Sequence, residues 1–242
     1  MQQTNGASYE FFEPLLTPPR YVNADFHYYP IVFSAPNAKV KARLISNGSG
    51  VNLRGGANAW NNNGTAVTFR IGPDASLFGD QLHRLEQPTL AEGYLPIAQI
   101  RYLHPTPVQS GGNIPLNQKR VDRELEIYQL EAFASVDPTL AENAMVFVKF
   151  SLAQGSNGTM TLDIDSKTPL KFNDGKATDE QGRVLAYFDK SWTWERNRAH
   201  VKIGVNKMAV VAIPTKPLAN DTTFAVEANS YANQRQMCAD SW

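Results

Sequence analysis

The sequence predicts an all-β fold, a large antiparallel β-sandwich with a short C-terminal helical segment, and three observations carry that expectation. Across residues 143–166 side-chain character alternates almost strictly: Val146, Val148, Phe150 and Leu152 share one face, as do Met160, Leu162 and Ile164. Successive strand side chains point to opposite faces, so this stretch reads as a β-hairpin with one buried face and one wet face. Short apolar runs recur at hairpin spacing along the chain, more than ten in all, with hardly a helical pattern among them. A lone hairpin cannot bury its apolar face, so these strands must pool into large packed sheets.

Taken in order, residues 31–33 and 39–45 flank a turn at Ala35-Pro36-Asn37. Residues 66–71 form a strand that Gly72-Pro73-Asp74 stops. Residues 97–103 and 125–133 lie on either side of a long loop, and the alternation of the second run slips near Tyr128, as at a β-bulge. The central hairpin turns within residues 154–158. Phe172 leads into Asn173-Asp174-Gly175, residue types that accept the positive φ of tight hairpins, and residues 184–188 follow a turn at Gln181-Gly182. Residues 200–205 and 208–213 straddle Asn206-Lys207, and residues 223–227 form the last strand. Asn47-Gly48-Ser49 and Asn157-Gly158-Thr159 fit the glycosylation pattern, but Asn-Gly is equally a turn signal, and the turn reading is preferred.

A length of 242 residues suits one large all-β domain or two ordinary ones. Apolar residues make up 42% and charged residues 19%, a globular balance. Lys plus Arg equals Asp plus Glu at 23 each, with the basic residues scattered in sequence, so a nucleic-acid partner is not expected. No apolar run reaches the roughly 20 residues of a membrane-spanning helix, so no membrane partner is expected either. Cys238 is the single cysteine, which excludes an internal disulfide. Met1-Gln2-Gln3-Thr4-Asn5-Gly6 has neither the basic start nor the apolar stretch of a secretory signal. Two readings remain, a cytoplasmic chain and a secreted or periplasmic one whose signal has been replaced by Met1. The polar start favours the second.

Texture changes at Ala228. Tyr231, Arg235, Cys238 and Trp242 recur at three to four residues, and Asn229 or Ser230 would cap a helix. This reads as the start of a linker helix over residues 228–242, after a sandwich over residues 1–227, leading toward a further helical domain. The alternative is a short helix that packs Trp242 on the sandwich. In the first case Tyr231, Cys238 and Trp242 form a stripe that the partner domain covers, and the isolated chain would be a weak homodimer.

A sandwich of this length followed by Ser230-Tyr231-x3-Arg235-x6-Trp242 resembles the N-terminal β-supersandwich domain of multidomain glycoside hydrolases and phosphorylases. Residues 128–135 followed by 143–150 are similar to that domain's paired strands. The resemblance covers nearly the whole chain through pattern and order. It implies a non-catalytic domain that packs on, and shapes the substrate cleft of, a following (α/α)6 barrel. That family's catalytic carboxylates lie on the barrel, so no catalytic residue is carried over to this chain.

The chemical inventory is compatible with that. His27, His83, His104 and His200 lack metal-ligand spacing, so no metal or cofactor is expected. Gly55-Gly56 and Gly111-Gly112 lack a phosphate-cradling context, and no Gly-x-Ser-x-Gly elbow is present. Asp163 with Asp165, and Asp122 with Glu124 and Glu126, alternate onto single strand faces, where a glycosidase pair, a Ca²⁺ site or simply a solvated face would be built. Candidate carbohydrate-binding residues are Trp60, Asn61 and Asn62, an aromatic platform beside side-chain amides that suit sugar hydroxyls. Trp192 and Trp194 share a face and form a second candidate platform, or a piece of core. The function expected is therefore the accessory domain of a carbohydrate-active enzyme. Its alternatives are a free-standing carbohydrate-binding or adhesion sandwich and a complete lyase or hydrolase working on one sheet face.

Overall fold

The computed structural model describes residues 30–36, 38–53, 64–105, 125–219 and 228–242. The first strands are β1 (Pro30–Phe33), β2 (Ala42–Ile45), β3 (Gly50–Val51), β4 (Val67–Ile71), β5 (Ser76–Leu77), β6 (Thr89–Leu90), β7 (Ala98–Pro105) and β8 (Leu125–Ala134). Helix α1 (Pro138–Ala141) precedes β9 (Met145–Gln154), β10 (Asn157–Ile164), β11 (Lys171–Asn173), β12 (Lys176–Thr178) and β13 (Val184–Phe188). After these come β14 (Thr193–Glu195), β15 (Arg198–Gly204), β16 (Met208–Pro214) and helix α2 (Ala228–Asp240).

Among the described residues the strands form two antiparallel sheets of eight. Sheet one runs β1-β2-β3-β4-β10-β15-β14 with β5 beside β4, and sheet two runs β11-β12-β13-β16-β9-β8-β7-β6. Hairpin β9–β10 is therefore divided: β9 lies in sheet two and β10 in sheet one, so the two halves of the alternating stretch face each other across the core. Val146, Val148, Phe150, Met160, Leu162 and Ile164 are all buried there, as their spacing predicts, while Leu152 is only partly buried against them. The turn sits at Gly155-Ser156, where Gly155 has φ +105°, and Asn157-Gly158 already belongs to β10. At the β8–β9 bulge Ile127 pairs Gln154 and Tyr128 pairs Leu152. The extra residue is thus Ala153 of β9, not a residue of β8. Asp174 and Gly175 both take positive φ in the tight turn that joins β11 to β12.

The single wet face expected of the central hairpin is not what β9 shows. Met145, Val146, Phe147 and Val148 are all buried, because sheet two is covered on both sides. A second apolar cluster lies on its outer face, where Phe133 stacks on Phe147 at 5.6 Å and Tyr231 of α2 packs edge-on to Phe133 at 5.4 Å. Cys238, two helical turns further along the same face, is buried in the same cluster. So Tyr231 and Cys238 of the expected apolar stripe are covered by this chain's own sheet, whereas Trp242 is 57% exposed.

One carboxylate organises that docking. Glu131 of β8, 3% exposed, accepts hydrogen bonds from Tyr231 Oη (2.7 Å), Arg235 Nε (2.9 Å), Lys149 Nζ (3.0 Å) and Gln99 Nε2 (2.9 Å). Burial alone would push this carboxyl up, but the donors from Arg235, Tyr231 and Gln99 and the Lys149 charge bring it from 4.5 to about 2. At the next turn Ser135 Oγ donates to Gln234 Oε1 at 2.6 Å.

Close backbone approach fixes one glycine. Gly79 has φ +69°, and a Cβ there would lie 2.0 Å from the Asn47 carbonyl oxygen, while Asn47 Nδ2 donates to the Gly79 carbonyl. Gly79→Ala is expected to lower stability by more than about 1 kcal/mol, read as a shifted urea midpoint at unchanged slope.

Candidate functional site

The register of the sheets gives the sandwich two distinct ends. Met160 pairs Ile71 and Ile164 pairs Val67, so β4 begins at the end where β10 stops. At that end lies an open cleft of about 900 Å³, built from five separate stretches: residues 39–43 entering β2, Gly64-Thr65 before β4, residues 165–168 after β10, the β12–β13 turn, and residues 215–217 after β16. It lies where sheet one meets the β12–β13 side of sheet two.

Its floor is rigid. Asn52 is fully buried at φ 53° and donates through Nδ2 to Thr215 Oγ1 (3.3 Å), whose hydroxyl donates in turn to the Ala144 carbonyl (3.3 Å). Asn52 also accepts the Arg43 amide at 3.0 Å, so one residue ties β2 to the end of β16. Asp179 organises the β12–β13 turn by accepting the amides of Gln181 (3.0 Å) and Arg183 (2.8 Å) and the Arg183 guanidinium at 2.7 Å. Burial works against its charge, but those Arg183 contacts hold its carboxyl below the ordinary aspartate value.

The rim is cationic. Among the described residues, Lys39, Lys41, Arg43, Lys167, Arg183 and Lys216 line the cleft, against two carboxylates, Asp165 and Asp179. Lys39, Lys41, Lys167 and Lys216 are exposed, and none forms an ion pair with a described residue. Strand β2 begins only at Ala42, so Lys39 and Lys41 precede it and lie on the rim instead of in the strand that residues 39–45 predict. Thr168 and Gln181 add a hydroxyl and an amide to the lining, and Val40, Leu185 and Pro217 add apolar patches. The Ser166 hydroxyl is engaged in its own loop, donating to the Thr168 carbonyl at 2.8 Å and accepting the Thr168 amide at 3.3 Å.

A smaller recess of about 260 Å³ occupies the opposite end, lined by Asp74, Asp80, Arg84, Tyr102 and His104. Tyr102 Oη donates to Asp80, and burial followed by that carboxylate pushes the phenol up to about 12, so it stays protonated. His104 is 6% exposed; its Nε2 has no hydrogen-bond partner among the described residues and lies 3.9 Å from Asp74 Oδ1. Behind it, buried Glu126 accepts from Tyr128 Oη at 2.8 Å. Glu126 therefore points inward and not to a solvated carboxylate face; Asp122 and Glu124 lie outside the described residues.

The remaining candidates are dispersed. Trp60, Asn61 and Asn62 lie outside the described residues, as does His27. Trp192 sits in the core and donates Nε1 to the Val210 carbonyl at 3.0 Å. Trp194 shares its face, as alternation predicts, and is half-buried; it stacks on Phe172 at 5.2 Å with the planes 9° apart. Trp194 belongs to the edge strand of sheet one and Phe172 to that of sheet two, so the stack zips the two sheets together along one side. Asp163 is ion-paired with Arg70 (2.7 Å) and Arg198 (2.6 Å) on the outer face of sheet one, the solvated-face alternative. Among the described residues no group of three or more His, Cys, Asp or Glu side chains could hold a metal, and no helix is long and apolar enough to cross a membrane.

Sequence reasoning missed the cationic cleft because its residues come from stretches far apart in the chain. The signal available was local: Lys39-Val40-Lys41 and Lys167-Thr168 beside turn residues. No family description, no curated protein and no solved structure matches this chain.

Proposed function

We propose that this chain is a non-catalytic β-sandwich domain of a carbohydrate-active enzyme, glycoside-hydrolase-like, which holds a glycan in the large cleft and packs beside a helical catalytic domain of the same parent. The observation that carries the reading is the cleft's lining. It is open, wide enough for several sugar rings, and mixes hydroxyl, amide and small apolar groups, the chemistry that complements saccharide hydroxyl rims and C–H faces. Of the two described carboxylates that line it, Asp179 is engaged by Arg183 and Asp165 stands exposed, which favours binding over acid–base chemistry here.

The test is a glycan-binding screen of the full chain by calorimetry together with turnover assays on aryl-glycosides and oligosaccharides. Binding that is weakened at least about fivefold by Thr168→Ala with Gln181→Ala, without turnover, is the expected result. Turnover abolished by replacing a carboxylate of this chain would overturn the non-catalytic assignment. A free-standing binding sandwich would bind equally well, and is told apart by whether the chain also associates with a helical domain from the same reading frame.

A second reading, a complete enzyme, is favoured by one feature only: the recess where protonated Tyr102 and buried His104 sit beside Asp74, Asp80 and Arg84. Turnover lost in His104→Ala but retained in Asp165→Asn would place chemistry at that end.

A further inference from the structure

We infer that the cleft selects an anionic glycan, one carrying carboxylate or sulfate groups along its backbone. The inference rests on the saccharide-binding reading and adds the ligand's charge to it. The whole chain is neutral by formal count, yet among the described residues six cationic side chains and two carboxylates line this one cleft. Among the described residues, four of these six cations have no ion-pair partner. Arg183 is held by Asp179, but Lys39, Lys41, Lys167 and Lys216 have no ion-pair partner among the described residues. Elsewhere several cations are matched: Arg70 and Arg198 share Asp163, Lys149 and Arg235 share Glu131, and Arg101 meets Glu86.

Like charges gathered around one concavity repel one another, and a ligand that brings negative charge relieves that repulsion as it binds. Low-dielectric walls also focus the field into the opening, and at physiological salt its reach is about 8 Å, comparable with the cleft itself. The cation type narrows the ligand further. Lysine is a flexible point charge with three rotatable donors, which suits carboxylates or sulfates spaced along a sugar chain. The cleft's described lining includes no aromatic ring on which bases would stack, as a single-stranded nucleic acid requires. Thr168 and Gln181 also line the cleft, where they would read the hydroxyls of the same sugar units.

The test uses the full chain in calorimetric titrations at about 50 and about 300 mM NaCl, with four probes: a neutral oligosaccharide, an oligouronate of equal length, its sulfated counterpart, and inorganic polyphosphate. The oligouronate or the sulfated chain should bind at least about tenfold tighter than the neutral one, with the advantage shrinking at high salt. Which of the two wins identifies the anion. Lys41→Gln with Lys167→Gln should remove that advantage at unchanged thermal unfolding. Lys202→Gln with Lys207→Gln, exposed positions at the opposite end of the sandwich, should leave it intact. Equal binding of neutral and anionic glycans, or indifference to the Lys41 and Lys167 changes, overturns anion selection and leaves saccharide binding standing. Tight polyphosphate binding with no glycan binding overturns both readings, and so does no binding by any probe.

Discussion

Phe150→Ala should destabilise the chain by about 3–5 kcal/mol, the range for deleting a large buried aromatic. Phe150 is 1% exposed and stands where the two sheets meet: its ring packs edge-on to Phe69 of β4 at 5.0 Å and to Trp192 at 6.3 Å. Truncation removes the contacts of one ring and leaves a void that close-packed strands on both sides fill poorly. Phe150→Leu should cost much less, because most of the volume is retained. Urea titration followed by tryptophan fluorescence checks both, since Trp192 reports on the same contact. A loss under about 1 kcal/mol for Phe150→Ala would mean that β9 is held in another register.

Glu131→Ala should be nearly as damaging, at about 3 kcal/mol, but with a different signature. The carboxylate serves two cations and two neutral donors, and its removal leaves Tyr231 Oη buried without an acceptor. The figure sits at the low end for a broken buried ion pair because Lys149 and Arg235 keep 23% and 30% of their side-chain surface in water. Limited proteolysis followed by mass spectrometry should show residues 228–242 cleaved in the variant and protected in the parent. Glu131 also sets an acid limit. Its folded value, about 2, lies below the ordinary 4.5, so its contribution is complete above about pH 4.5 and is lost as pH falls from there toward 2. The full span is worth about 3 kcal/mol at about 1.4 kcal/mol per tenfold. Thermal unfolding of the parent should therefore fall through this window more steeply than that of Glu131→Gln.

The inner faces of the sandwich were legible because period-two alternation states directly which residues face inward. The cover on the outer face of sheet two was not read from the alternation, although it left a mark: Met145-Val146-Phe147-Val148 is apolar at every position, as in a strand covered on both sides. Helix α2 begins at Ala228, where the texture changes, but its docking on Phe133 and Phe147 depends on Glu131, whose partners are spread from Gln99 to Arg235. The cleft was the least legible part. Lys39, Lys167, Arg183 and Lys216 are ordinary polar positions when read singly, and only strand register brings them to one end. The Trp192 and Trp194 pair shows the converse limit: their shared face followed from spacing, while stacking with Phe172 required knowing that two edge strands meet.

The Glu131 hub has a temporal consequence. Tyr231 and Arg235 follow Glu131 by 100 and 104 residues, so at ordinary synthesis rates of about 5–20 residues per second the carboxylate waits several seconds for them on the ribosome. During that interval Phe133 and Phe147 form an uncovered apolar strip on a nascent sheet, the kind of surface that holdase chaperones capture. Charge keeps this strip from being uniformly greasy, because Lys149 and Glu131 can already pair across β8 and β9 before the helix exists. A charged pair set in an apolar strip is the kind of feature that opposes self-association, so the ion pair that anchors α2 bears on the unfinished sheet as well.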